Sequence, residues 1–515
     1  MILPKPQSCE RGDGRFRLTP DTTVFADAGS EPAARALRSG ISPATGFPFP
    51  SASTADRADI RLTVDADALG PEAYTLNVDA DGIRIVGGDP AGVFYGVQSL
   101  RQLLPPEVYG TKPIDRIWEV EHVSVRDAPR FSWRGMMLDV GRHFMSKEFV
   151  CKFIDLLAMH KLNVFHFSLT QDQGWRLQID KYPKLTEVGA WRSETIVGHM
   201  RDYASPEDYQ YDGKPHGGYY TKDDIREILA YAEARFVTVI PEINMPGHML
   251  AAIAAYPELG NGTGPYQVGK IWGIMDQVLN VQDSTLAFCQ DVLTEVLELF
   301  PSHIIHAGGD ECPKTEWKAS AAAQARMREL GLETEEQLQL WFTTRIANFL
   351  KEKGRRFVGW DEILEGGGPA ELPDDVVVMS WRSEDGGIEA ARGGLDVVMS
   401  PTSYAYFDYY QGDPATEPLA IGGSVPLEKV YDYHVVPEEL DEKAAEHVIG
   451  TQANVWTEYI PNSEHVEYMI APRMCAFAEA AWRERKVDPY ETFVQERLRP
   501  QLARFDAIGV NYRPL

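Results

Sequence analysis

The sequence predicts an α/β protein, a (β/α)8 TIM barrel preceded by a small α+β domain. Three observations carry that expectation. The chain has 515 residues, more than a single hydrophobic core usually supports. From about residue 129 onward, eight apolar runs of strand length alternate with amphipathic helical segments, the pattern of parallel strands joined by helical crossovers. Before that point the texture is one of short alternating strands and turns. The expected division places the small domain at residues 1–125 and the barrel at residues 126–515.

In the small domain, Ile60–Val64 and residues 74–78 alternate apolar with polar side chains, and the turn Asp81-Gly82 leads into a further strand at 83–86. The second and third of these read as a hairpin. Residues 91–104 carry Val93, Phe94, Val97, Leu100, Leu103 and Leu104 at helical spacing and stop before Pro105-Pro106. The barrel strands are expected at 135–140, 164–169, 237–243, 304–308, 356–360, 376–381, 396–399 and 450–455. Between them, 147–160, 222–235, 284–299 and 335–353 have the apolar period of helices.

Composition narrows the function classes. With 44% hydrophobic and 25% charged residues the chain has ordinary globular content. Its net charge of -27 opposes nucleic acid and anionic membrane surfaces as partners. No run of about 18 apolar residues occurs, and Met-Ile-Leu-Pro-Lys-Pro at the start lacks the pattern of a secretion signal. A cytoplasmic location is the resulting expectation, with export after removal of a signal left open. Cys9, Cys151, Cys289, Cys312 and Cys475 are scattered and contain no CxxC pair, so neither a disulfide framework nor a zinc site is suggested.

In a barrel of this kind the loops after the strands build the active site. Those positions are rich in acids and aromatics: Arg142-His143, Gln171-Asp172-Gln173-Gly174-Trp175, Glu242 to His248, Asp310-Glu311, Trp360-Asp361-Glu362, Trp381-Arg382, Tyr404 with Tyr406 and Asp408, and Trp456 with Glu458. Flat aromatic faces with carboxylates and an arginine suit a sugar, whose C–H faces stack and whose hydroxyls need strong hydrogen bonds. His306-Ala307-Gly308-Gly309-Asp310-Glu311 is the most informative stretch. The glycines let the chain turn sharply after an apolar strand and aim two carboxylates into a cleft. Two acids so close raise the cost of charging each other, so one is expected to remain protonated near neutral pH. Plain structural alternatives exist: Asp310 as a helix cap, the tryptophans as core, His248 as a satisfied turn residue, and Arg142 as a partner of Asp139.

These segments resemble the β-N-acetylhexosaminidases of glycoside hydrolase family 20. The resemblance rests on the helix Gly92-Val93-Phe94-Tyr95-Gly96-Val97-Gln98-Ser99-Leu100, on Arg134 through His143, on His306 through Glu311, and on Gly450 through Trp456. It implies substrate-assisted, retaining hydrolysis of terminal β-linked N-acetylglucosamine or N-acetylgalactosamine, in which the sugar's own acetamido group is the nucleophile. By that resemblance Glu311 is the general acid and base, Asp310 orients the acetamido N–H, Tyr406 holds the acetamido oxygen, and His248 belongs to the same catalytic set. Trp360, Trp381 and Trp456 would enclose the acetamido sugar, with Arg142, Asp408 and Glu458 on its hydroxyls. No metal or organic cofactor is implied. The expected partner is an oligosaccharide or glycoconjugate substrate, taken by a monomer or homodimer.

Three positions depart from the family pattern: Ser168, Gln171 and Asn244 stand where His, Asp and Asp are expected. Two amides for two acids remove like charge from the loops around His248 and Glu311. The expectation is that Glu311 depends on burial and Asp310 to stay protonated, and that the alkaline limb of the rate profile lies lower than in relatives with both acids. Three rival readings remain at this stage: an exo-glycosidase of the same fold for a modified N-acetyl sugar or a disaccharide, a non-catalytic sugar-binding protein, and a metal-dependent hydrolase built on His143, His306 and Asp310.

Overall fold

Eight parallel strands close into a barrel in the computed structural model, which describes residues 1–483 and 488–515. In chain order they are Trp133–Asp139, Val164–Ser168, Thr238–Glu242, Ile304–His306, Arg356–Trp360, Val377–Ser380, Asp396–Met399 and Val448–Ala453. Each pairs in parallel with the next, and the eighth returns to the first. The runs are largely apolar, Arg134, His166 and Gln452 being exceptions, because the barrel interior covers one face and the helices the other. All seven residues of the first strand are buried. Every expected barrel strand is present, with ends displaced by a residue or two. The fourth ends at His306; Ala307 still donates to Val358 O at 2.9 Å and accepts from Met245 N–H at 3.2 Å before the glycine turn begins.

The helices that wrap the barrel include Lys147–Met159, Lys222–Glu233, Asp283–Leu299 and Glu335–Glu352. Three of them begin at side-chain caps: Ser146 accepts from Phe149 N–H, and Thr221 and Thr334 form reciprocal capping boxes with Asp224 and Gln337. No helix among the described residues is long and apolar enough to cross a membrane. All five cysteines are free thiols.

The small domain is a six-stranded sheet in the order Ser8–Leu18, Trp118–Asp127, Tyr74–Asp79, Gly82–Gly87, Ile60–Val64 and Val24–Ala26. The expected hairpin is there, Tyr74–Asp79 running antiparallel to Gly82–Gly87. The helix Pro90–Leu103 is capped by Asp89, whose side chain accepts from Gly92 N–H. Sequence reasoning omitted the strands Ser8–Leu18 and Trp118–Asp127 and the helix Glu31–Thr45. The first strand is exposed at most positions and so lacks the alternation that marks a half-buried strand. The helix contains Gly40 and Pro43, both of which read as breakers.

The small domain meets the barrel through buried polar groups. Arg134, at the start of the first barrel strand, makes a two-pronged bond to Glu72 at 2.7 and 3.0 Å. Lys161, just before the second strand, donates to Asp127 at 3.0 Å and to the Tyr74 hydroxyl at 2.8 Å. These contacts fall at the N-terminal end of the strands, which leaves the C-terminal end free to gather the loops described next.

Candidate active site

The loop after the fourth strand is held in an unusual backbone shape. Gly308 and Gly309 have φ of 68° and 97°, and Glu311 itself has φ of 45°. A Cβ on Gly308 would lie 1.8 Å from Asn244 Oδ1, so only glycine fits. Asn244 in turn ties the loop down: its Oδ1 accepts from Gly309 N–H at 3.2 Å and its Nδ2 donates to Asp310 Oδ1 at 2.7 Å. Behind the turn, Gln339 donates to Gly309 O at 2.7 Å. No helix starts at Asp310, so the capping alternative fails; the next helix is the short Thr315–Ala319.

His248 joins the two acids. Its Nδ1 lies 2.9 Å from Asp172 Oδ2, and its Nε2 faces both Asp310 Oδ2 at 3.6 Å and Glu311 Oε2 at 3.4 Å. Asp172 is fixed by Leu250 N–H at 3.0 Å. His248 also has positive φ, 54°, a costly conformation for a non-glycine residue that recurs at functional positions. Burial opposes its protonation, but the Asp310 charge and the bonds to Asp172 and Glu311 outweigh it and raise its pKa well above the ordinary value. The turn-histidine alternative therefore gives way to an imidazolium among three carboxylates.

The acids separate in character. Burial lifts Asp310 to about 6, with the Glu242 and Glu311 charges adding to it and His248 and Asn244 pulling back. Burial raises Glu311 too, yet the His248 hydrogen bond and the His248 and Arg142 charges prevail and hold it below its usual range. This corrects the expectation that Glu311 is the member kept protonated by burial and Asp310. The amides also act elsewhere than expected. Asn244 contacts Asp310, and Gln171 donates to Ser168 Oγ at 3.3 Å.

Around this centre the other predicted residues assemble from neighbouring strand ends. Trp360, Tyr406 and Trp456 are buried in one cluster with Trp381 packed against it. Trp360 and Trp456 lie 5.7 Å apart, and Trp381 stacks on Tyr406 at 6.0 Å. Trp360 Nε1–H donates to Glu242 Oε1 at 2.9 Å and Trp381 Nε1–H to Glu362 Oε2 at 2.8 Å. Arg142 lies over the Trp456 ring at 4.9 Å, with Asp139 at 3.6 Å and Glu458 at 3.8 Å. The pairing of Arg142 with Asp139 is thus real, but it does not use the guanidinium up. Arg142 Nη1, Asp408 Oδ1 and Glu458 Oε2 are buried and make no hydrogen bond among the described residues. Such groups suit a polar ligand.

The rival metal set is not assembled. His143 Nδ1 lies 2.6 Å from Thr457 O, whereas His306 Nδ1 accepts from Gly308 N–H at 3.0 Å. Among the described residues, two groups have ligand atoms close enough to share a cation, His166 with Glu242 and His306, and His248 with Asp310 and Glu311; neither includes His143. Sequence reasoning gave no role to Glu242 or Glu362, although both stand in strand-exit segments that it singled out. The available signal was an acid within two residues of a pocket tryptophan or at the end of a facing strand.

The chain matches the family models for the catalytic domain of glycosyl hydrolase family 20 over residues 131–485 and for domain 2 of that family over residues 1–128. It belongs to that family. The resemblance drawn from the motifs and the expected barrel therefore hold. A β-hexosaminidase of Porphyromonas gingivalis is 41% identical over 99% of this chain, which spans 64% of that relative's length. One of Vibrio furnissii is 38% identical over 93% of the chain and 76% of the relative. Among solved structures, an exo-β-N-acetylglucosaminidase from Vibrio harveyi in complex with N-acetylglucosamine superposes with a TM-score of 0.86 at 34% identity, covering 100% of this chain and 78% of the other. A mutant Streptomyces plicatus β-hexosaminidase in complex with its product, N-acetylglucosamine, gives a TM-score of 0.85 at 30% identity over 100% and 96%.

Proposed function

We propose that the protein is an exo-acting, retaining β-N-acetylhexosaminidase that removes terminal β-linked N-acetylglucosamine or N-acetylgalactosamine by substrate-assisted catalysis. The observation that carries this reading is the Asp310–His248–Glu311 cluster beside a cage of tryptophans, with one acid near 6 and the other held below its usual range. Two carboxyls on adjacent residues are poorly placed to flank a sugar from opposite faces, as a protein nucleophile and an acid would. They are well placed to serve its leaving oxygen and its acetamido group side by side.

In this mechanism the sugar fills the cage with its acetamido group against Asp310. Substrate covers Glu311, removes its water and raises its pKa, and a proton reaches it from His248 Nε2. Glu311 then protonates the glycosidic oxygen as the bond from C1 breaks and the acetamido oxygen attacks C1. Tyr406 holds that oxygen below C1, a contribution of proximity. Asp310, ionised, accepts the acetamido N–H and stabilises the oxazolinium charge. Water delivers its proton to Glu311, its oxygen bonds to C1, and the ring opens with retention. Arg142, Asp408 and Glu458 bind the hydroxyls. The names of the P. gingivalis and V. furnissii relatives and the N-acetylglucosamine complexes from V. harveyi and S. plicatus support this substrate class.

The test is a rate comparison on nitrophenyl N-acetyl-β-glucosaminide, its galacto epimer and the plain glucoside. The two acetamido sugars are expected to turn over and the glucoside not, because it carries no internal nucleophile. Comparable turnover of the glucoside would overturn the reading.

A further inference from the structure

Glu362 is a buried acid that the mechanism above does not use. It lies in the turn Asp361–Leu364 directly after the fifth barrel strand. Among the described residues it forms no ion pair. The nearby Arg382 guanidinium is taken instead by Asp361 at 2.8 Å and Glu365 at 2.6 Å. Burial first, then the Asp310 and Asp361 charges, push Glu362 up to about 9, which leaves it a neutral acid at physiological pH. What it does hold is the Trp381 indole, accepting from Nε1–H at 2.8 Å.

The two pocket tryptophans differ in how they are fixed. Trp360 is 1% exposed, packed on His306 and Trp456, and anchored to Glu242 besides. Trp381 is only partly buried and stacks on Tyr406 along one face. Its backbone is pinned, with Trp381 N–H bonded to Asp361 at 3.3 Å and Trp381 O accepting from Thr402 N–H at 2.8 Å. The orientation of its ring depends on the indole hydrogen bond. A ring that swings about its side-chain torsions would open the cage beside the acetyl methyl.

We propose that Glu362 is a positioning residue that locks the Trp381 indole and so sets how large an N-acyl group the site accepts. This rests on the reading of Trp381 as a wall of the acetamido pocket. The hook needs only an acceptor oxygen, so a glutamine is expected to keep it and a leucine to lose it.

The experiment measures kcat/KM on aryl β-glucosaminides carrying N-acetyl, N-propionyl and N-butyryl groups. Wild type is expected to favour N-acetyl steeply over N-butyryl, and Glu362→Gln to keep that ratio. Glu362→Leu is expected to lower the ratio by about tenfold, the scale of one net hydrogen bond. Trp381→Phe, which keeps an aromatic wall but has no N–H, is expected to lower it similarly, and adding Glu362→Leu to Trp381→Phe to change it no further. Should Glu362→Leu not fold, the Trp381→Phe and Glu362→Gln ratios still decide the matter. An unchanged ratio in folded Glu362→Leu or in Trp381→Phe would overturn the proposal, as would equal loss in Glu362→Gln. If wild type itself hydrolyses the plain glucoside as well as the N-acetyl sugar, the pocket reading fails instead, and the two failures are distinct.

Discussion

At the scale of single residues, the site turns on one histidine between two acids that behave differently. If Asp310 works ionised, the rate is expected to fall as pH drops through about 6, where burial has placed its titration. Asn244 donates to Asp310 at 2.7 Å, so Asn244→Asp removes a donor and adds a like charge. Both changes raise Asp310, and the acid limb of kcat/KM against pH, which reports the free enzyme, is expected to move upward; an unmoved limb would detach Asp310 from it. The two acids also separate by leaving group. Glu311→Gln is expected to slow poor leaving groups far more than activated aryl glycosides, which need little protonation. Asp310→Asn is expected to cost roughly 100-fold for all of them, as lost electrostatic stabilisers do. Parallel profiles for the two variants would contradict the division of roles. That these residues stand at strand exits was legible in the sequence, but the balance of charge among them was not. Adjacent letters suggest mutual repulsion between Asp310 and Glu311, while the dominant neighbour of Glu311 is His248, distant in sequence and brought near only by the fold.

At the scale of elements, barrel strands were legible because both faces of a parallel strand are covered, which writes it as a mostly apolar run ended by polar residues. The residues at those exits, chosen without any knowledge of distances, come together in the structure around His248, Asp310 and Glu311. Strand Ser8–Leu18 escaped notice because exposure erases its pattern, and Glu31–Thr45 because tertiary packing overrides Gly40 and Pro43. The turn after the fourth strand offers a test of how tightly an element shapes the site. Gly308→Ala places a methyl where Asn244 Oδ1 stands, 1.8 Å away, and demands left-handed φ from a residue with a side chain. The turn must shift, taking with it the bond from Asn244 to Asp310. A loss of kcat of about tenfold or more is expected, since small displacements of catalytic groups are costly. Wild-type kcat in this variant would mean that the turn yields without moving the acids.

At the scale of the whole molecule, the candidate site and the domain docking occupy opposite ends of the same strands. The first barrel strand begins next to Arg134, which binds Glu72 of the small domain, and ends at Asp139, which receives Gly141 N–H and Arg142 N–H at 2.9 and 3.1 Å. Its seven residues separate the two ends by about 20 Å at the usual rise per residue. The docking end contains a fully buried ion pair, Lys161 with Asp127, whose carboxylate also accepts from the Tyr74 hydroxyl at 2.9 Å and from Trp482 Nε1–H at 2.9 Å. Replacing Lys161 by Met leaves that carboxylate buried without its cation, which is expected to cost about 3–5 kcal/mol. Removing both charges together, as Lys161→Met with Asp127→Leu, is expected to recover part of the loss because no lone charge remains. Thermal unfolding of the three variants measures this, and kcat of the folded fraction is expected to stay at the wild-type value because the pair lies at the far end of the strands. A Tm unchanged in Lys161→Met would show that the interface does not depend on the pair. A fall in kcat at temperatures well below unfolding would show instead that the small domain holds the catalytic loops through the barrel, and that the two ends are not mechanically independent.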